Sequence, residues 1–229
     1  YMGMPFLAAV GEMEGNEQKV EEAVTEFTVT RSRLRDAETG LFYHAWDEAR
    51  QQEWADPETG RSKHFWARGL GWYAMALVDI LDIIPVEKTE LREPLLEIVS
   101  EMAEALLKVQ DETGTWYQVM DRPEQPGNYR ESSGSAMFTY FLAKAVSRGY
   151  LPQSYKTVVE TAYRGLVDEF VAIDAEGAYH LTNICATAGL GYGRDGSFRY
   201  YMSERVVRND PKGLAPAIMA LLQVSELMN

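Results

Sequence analysis

Apolar residues recur at spacings of three and four along most of the chain, which predicts a succession of amphipathic helices. Pro5 to Met13 is a short one. Asn16 to about Arg35 is longer, with Val20, Val24, Phe27, Val29 and Leu34 as core positions and Asn16 placed to cap it. Trp72 to Ile84 repeats Tyr73, Leu77, Ile80, Leu81 and Ile84 at helical period and stops at Pro85, because the residue before a proline is pushed out of the helical region. Thr89 to Val109 carries Leu91, Leu95, Ile98, Met102, Leu106 and Val109, and should pack antiparallel to the helix before it. Glu131 to Arg148 opens on small residues, Ser132, Ser133, Gly134, Ser135 and Ala136, which let neighbouring helices approach or leave room for a ligand. Its partner spans about Gln153 to Val171, and a last helix runs from about Pro211 to Met228 with Pro216 in an early turn.

Between the helix pairs the pattern breaks in a recurring way. Three times an acidic turn leads to a glycine and then to aromatic residues: Gly40-Leu-Phe-Tyr-His44, Gly114-Thr-Trp-Tyr-Gln118 and Gly177-Ala-Tyr-His180. The three glycines are 74 and 63 residues apart. Tandem helical hairpins, each ending in a short extended piece, can close into a ring whose inner helices bury their apolar faces on one another. The pattern therefore predicts an all-α toroid, with an open helical solenoid as the competing architecture.

At 229 residues and 46% hydrophobic, the chain is long enough for one sizeable core, and it reads as a single domain over 1–229. A formal net charge of -13 argues against nucleic acid as a partner, because the surface as a whole repels phosphate. An acidic ligand would have to be held locally, by particular arginines. One cysteine, Cys185, excludes an internal disulfide and a cysteine-built metal site, and the scattered His44, His64 and His180 disfavour a histidine-built one. No run approaches the roughly 18 apolar residues of a membrane span. The chain opens at Tyr1 and runs straight into Met-Gly-Met-Pro-Phe-Leu-Ala8, which reads like the middle of a domain, so an N-terminal portion is expected to precede it. Cytoplasm and periplasm both fit this reading.

The candidate chemistry lies in His64-Phe-Trp-Ala-Arg-Gly-Leu-Gly-Trp-Tyr73. Trp66 and Trp72 can stack on sugar faces, Arg68 can hold a carboxylate through two parallel hydrogen bonds, and Gly69 and Gly71 let backbone approach a ligand while interrupting a regular helix. A buried aromatic cluster is the competing reading of the same residues. His44 can orient a hydroxyl or a water, or assist proton transfer, against a structural role beneath its loop. Asp47 reads equally as an orienting carboxylate or a turn-maker, while His180 and Gln118 read as structural. Arg194-Asp-Gly196 reads as a turn, and Cys185 as a small buried apolar residue.

Several motifs taken in order resemble the unsaturated rhamnogalacturonyl hydrolases, glycoside hydrolase family 105. They are Tyr1-Met-Gly-Met-Pro-Phe-Leu-Ala8, Leu41-Phe-Tyr-His-Ala-Trp-Asp47, Trp54-Ala-Asp56, Phe65-Trp-Ala-Arg-Gly-Leu-Gly-Trp72, Ala188-Gly-Leu-Gly191, Arg194-Asp-Gly196 and Asn209-Asp-Pro-Lys-Gly213. The resemblance implies an (α/α)6 barrel of six hairpins, of which this chain supplies the C-terminal portion, with the site in a funnel at one end. It implies hydrolysis of a 4,5-unsaturated galacturonyl residue from pectin oligosaccharides: an acid protonates the vinyl ether, water adds, and the hemiketal opens. This differs from the two-carboxylate scheme of ordinary glycosidases and needs no metal and no cofactor. His44 resembles the family's substrate-contacting histidine, and Trp66, Arg68 and Trp72 resemble its tryptophan, arginine and second tryptophan. The family's acid/base aspartate would fall just upstream of Tyr1. A carbohydrate-binding or inactive fragment, an unsaturated glucuronyl hydrolase and a sugar epimerase are the rival readings. On the favoured one, Arg68→Ala should weaken uronate binding and leave folding nearly intact.

Overall fold

Eight helices carry the chain in a computed structural model that describes residues 1–229. They are α1 (Met4–Glu14), α2 (Glu17–Leu34), α3 (Ala67–Ile83), α4 (Thr89–Lys108), α5 (Ser132–Ser147), α6 (Lys156–Phe170), α7 (Phe198–Ser203) and α8 (Pro211–Met228). The strands are no longer than three residues: β1 (Val171–Ile173) pairs antiparallel with β2 (Tyr179–Leu181), and β3 (Ile184–Cys185) with β4 (Val206–Val207). The mostly helical prediction is what the chain builds, and no helix is long and apolar enough to cross a membrane.

Helices α1, α3, α5 and α8 pack side by side in that order, and α2, α4 and α6 lie against them as the second members of hairpins. The second members are amphipathic: α2 buries Val20, Ala23, Val24 and Phe27 and leaves its glutamates to water. The α5 helix is different, since every residue from Ser132 to Val146 is buried, as expected of a helix enclosed on all sides. Small residues make that enclosure possible. A Cβ on Gly134 would lie 2.7 Å from that of Ala67 on α3, and a Cβ on Gly71 would lie 2.7 Å from Met137 Sδ on α5. Lys144 of α5 adds a polar tie, its ammonium 2.7 Å from Asp79 and 3.0 Å from Asp82 of α3.

Two expectations need correction. Gly69 and Gly71 do not interrupt the helix, which starts at Ala67, five residues earlier than the apolar period shows, and runs through both. Their missing side chains serve close packing instead. Asn16 does sit at the N-cap of α2, but its side chain caps nothing. The caps that do form are Glu131, accepting from Gly134 N at 2.7 Å, Ser197, accepting from Tyr200 N at 3.2 Å, and Asp210, accepting from Lys212 N at 2.9 Å ahead of Pro211.

The acidic turns share one device. Asp36, Asp111 and Asp174 each accept backbone N–H groups two to four residues ahead, and the chain then reverses at Gly40, Gly114 and Gly177 with φ of +79°, +90° and +83°. Asp56 and Gly60 (φ +75°) make a fourth copy inside the first loop. At Gly114 a side chain is excluded twice over, by the positive φ and by Thr161 O, which would lie 2.3 Å from an added Cβ. Gly114→Ala is expected to cost about 3 kcal/mol in urea unfolding. A loss below about 1 kcal/mol would mean that the turn relaxes freely.

Candidate active site

Three long loops, 35–66, 109–131 and 171–210, lead into the N-termini of α3, α5 and α8 and interlock there. Trp66 bridges to Val119, Ala67 N donates to Gln118 O, Ser132 N donates to Asn183 O, and Gly213 lies against Ile184. The residues singled out by their chemistry therefore arrive at one end of the helix row.

His44 sits over the bare α-carbon of Gly69, where an added Cβ would come within 2.7 Å of its own. Its ring meets Trp66 edge-on at 5.5 Å. Both ring nitrogens are engaged, Nε2 with the hydroxyl of Tyr201 at 2.8 Å and Nδ1 with Ser62 Oγ at 3.3 Å. Burial pushes its pKa down to about 4, so His44 is neutral at ordinary pH. Tyr201 is fully buried, and burial raises its pKa, so it stays a phenol.

Arg68 is only 2% exposed. Its Nη1 donates to the carbonyl of Cys185 at 2.6 Å and to Ser133 Oγ at 3.3 Å, and the guanidinium lies 5.3 Å from the centre of the Trp66 ring. Ser133 passes the connection on to Glu131, a fully buried carboxylate that also accepts from Gly134 N and Cys185 N. The Nε and Nη2 edge of Arg68 makes no bond within the protein and is not sealed from water, leaving part of the fork open. The expectation that Arg68→Ala would leave folding nearly intact is revised by this burial.

Trp72, one turn further along α3, is half-buried against Tyr1, with ring centres 5.4 Å apart. Together with Phe27, Tyr73 and Gly69 they wall a cleft of about 240 Å³ between α1, α2 and α3, with Glu26 and Thr30 at its edge. Trp66, Arg68 and His44 thus form one contiguous group, and Trp72 adjoins it across Gly69. Trp66 is itself mostly buried, 8% exposed, with its indole N–H donated to Gln118.

The remaining candidates resolve into structural work. Asp47 accepts from the N–H groups of Ala49, Gln51 and Gln52 and is a turn-maker. His180 bridges Asp174 and Asn209. Gln118 is buried between Trp66 and Cys185 Sγ, so Cys185 is less apolar in its contacts than its residue type implies. Tyr201, Glu131 and Tyr1 escaped the sequence reading. Tyr201 lies 157 positions from His44, and no local spacing connects them.

Residues 1–228 match Glycosyl Hydrolase Family 88. The chain belongs to the glycoside hydrolase family 88/105 group. A family 105 glycoside hydrolase of C. acetobutylicum is similar in structure, with a TM-score of 0.95 at 44% identity over 98% of this chain and 63% of that one. The 24.9 kDa protein in picA locus of Rhizobium radiobacter is 38% identical over 96% of both chains. The unsaturated rhamnogalacturonyl hydrolase YesR of Bacillus subtilis is 30% identical over 57% of this chain and 35% of its own length. The family expected from the motifs is confirmed at this level, and with it the family's six-hairpin class of helical fold. The chain spans less than two thirds of the C. acetobutylicum structure and about a third of the Bacillus subtilis relative.

Proposed function

We propose that this chain forms the substrate-holding wall of a glycosidase that removes a 4,5-unsaturated galacturonyl residue from rhamnogalacturonan oligosaccharides. The observation that carries the reading is that Arg68, whose Nε and Nη2 have no hydrogen-bond partner within the protein, lies one turn of α3 from Trp72, which walls the aromatic cleft with Tyr1. Arg68 and Trp72 are four residues apart on α3, hence neighbours on one face. A carboxylate on the open edge of Arg68 directs the attached ring toward the indole of Trp72. The cleft is smaller than the roughly 300–1,000 Å³ of drug-sized sites, which suits one terminal sugar.

In the reaction, a proton is added to C4 of the vinyl ether and water adds to C5. The hemiketal then opens to a ketone, and the hemiacetal left at C1 releases the next sugar as an alcohol. Arg68 holds the C5 carboxylate through these steps. His44 is a positioning residue, since both its nitrogens are taken: it fixes Tyr201 and, through Gly69, the first turn of α3. Glu26 lines the cleft from α2.

Loss of the ultraviolet absorbance of the 4,5-double bond on incubation with unsaturated galacturonyl-rhamnose tests the reading. Trp72→Ala is expected to lower kcat/KM about tenfold, the worth of one stacking face. Unchanged absorbance with this disaccharide and decay with an unsaturated glycosaminoglycan disaccharide would reassign the substrate to the glucuronyl class. Binding with no decay of either would make the chain a carbohydrate-binding protein.

A further inference from the structure

Glu131 is a carboxylate with none of its surface exposed, and the reaction steps above make no use of it. It stands at the N-cap of α5, where its Oε2 accepts from Gly134 N at 2.7 Å. Capping alone does not ask for glutamate, since serine, threonine, aspartate and asparagine suit that position best, and the chain uses Ser197 and Asp210 at its other side-chain caps. Burying a carboxylate is costly unless its oxygens are bonded. What the longer side chain adds is reach. Its Oε1 accepts from Cys185 N at 2.9 Å, 54 positions away on β3, and both oxygens accept from the Ser133 hydroxyl at 2.8 Å.

Those two partners are the residues that hold Arg68. Its Nη1 carries two N–H groups, and their acceptors are the Cys185 carbonyl at 2.6 Å and Ser133 Oγ at 3.3 Å. The Ser133 hydroxyl gives its single proton to Glu131 and so presents a lone pair to the guanidinium. Cys185 also steadies the face of the group. Its Sγ accepts from Gln118 Nε2 at 3.1 Å, Gln118 Oε1 accepts from the Trp66 indole N–H at 3.2 Å, and the centre of that indole lies 5.3 Å from the guanidinium. Ser133 meanwhile keeps the two charges apart. Arg68 bonds to Glu131 only through this hydroxyl, so its Nε and Nη2 donors are not taken up by an internal carboxylate.

We infer that Glu131 is a positioning residue for the uronate site: by fixing the Ser133 hydroxyl and the Cys185 carbonyl it pins the Nη1 corner of Arg68 and aims the Nε and Nη2 edge at the ligand carboxylate. This role rests on the carboxylate role of Arg68 in the glycosidase reading and supplies its direction. Glu131 itself touches no substrate. Its contribution is selectivity for the ionised acid over the same sugar without the charge, because an arginine free to turn away loses the paired geometry that only a carboxylate can use.

Saturated galacturonyl-rhamnose, which lacks the double bond, and the methyl ester of its carboxyl group test the role in titration calorimetry with the full chain. The wild type is expected to bind the acid about thirtyfold more tightly than the ester. Glu131→Gln, which sets an amide N–H against donors, is expected to cut this ratio about tenfold, and Ser133→Ala about fivefold, with ester affinity unchanged in both. Ser133→Ala removes one oxygen from a packed helix and carries the test if Glu131→Gln does not fold. Ser135→Ala, which takes the hydroxyl from Trp116 N on another side of α5, is expected to lose stability and keep the wild-type ratio. A wild-type ratio in folded Ser133→Ala, or equal losses for acid and ester, overturns the positioning role. A wild type that binds neither, or shows no preference for the acid, overturns it together with the carboxylate role of Arg68. Turnover of the unsaturated disaccharide is scored separately. Turnover with a ratio indifferent to Ser133 sinks the positioning role alone, and a Ser133-dependent ratio without turnover supports that role and sinks the glycosidase reading.

Discussion

Arg68→Ala is expected to lower the unfolding free energy by about 3 kcal/mol and at the same time to remove measurable binding of the uronate. The first effect follows from burial. With 2% of its surface exposed, the side chain fills a space between α3, α5 and β3, and its Nη1 is the partner of the Cys185 carbonyl. Truncation leaves that carbonyl short of a donor and strips a cation from the surroundings of the buried Glu131, reached through Ser133. The second effect follows from the open edge of the fork. Arg68→Lys separates the two, because it keeps the charge and most of the bulk while losing the planar pair of donors. Lysine should recover more than half of the lost stability in urea unfolding but little of the binding. Wild-type affinity in either variant would end the carboxylate role of Arg68.

The other large effect is on the pH dependence of stability. His44 has a folded pKa of about 4, lowered by burial, against about 6.5 in an unfolded chain. Between those values the unfolded chain takes up the proton and the folded one does not. The stability that His44 confers by staying neutral is therefore complete above about pH 6.5 and is lost as the pH falls toward 4, with a slope of up to about 1.4 kcal/mol per unit. His44→Gln, which can keep hydrogen bonds to Tyr201 and Ser62, should remove most of this slope. His64 is shifted in the same direction by burial and leaves a residual slope in the variant. The turn aspartates, held low by backbone N–H groups, lose their contribution only as the pH nears and passes below about 4. Urea unfolding at pH 7, 6 and 5 isolates the histidine. Parallel losses in wild type and His44→Gln would show that the imidazole is not buried.

The helices were legible wherever one face alone is apolar, as along α2 and α4, because the three-and-four spacing is a direct image of that face. The start of α3 was not. Ala67, Arg68 and Gly69 carry no apolar period, and glycines next to tryptophans read as a break when they in fact permit contact with His44 and Met137. The repeat of acidic turns was visible because each is made within five residues, through an aspartate and a glycine that any local reading can find. The site was legible as a set of residue types. Its wiring was not, since the Tyr201–His44 and Arg68–Cys185 bonds span 157 and 117 positions. Nor does an arginine announce from sequence that it will be buried: its neighbours Glu131 and Ser133 come from another helix, and only the fold brings them near.

The complete enclosure of α5 also sets how this chain can vary. With no side facing water, the helix has no position where a residue can change size without meeting a neighbour: Gly134 meets Ala67, and Met137 meets Gly71. Substitutions in contact with one another do not add. A methyl group gained at Gly71 has to be given back at Met137. Among relatives, then, α5 and α3 should drift as matched pairs of residues, while the solvent faces of α2 and α4 change one residue at a time.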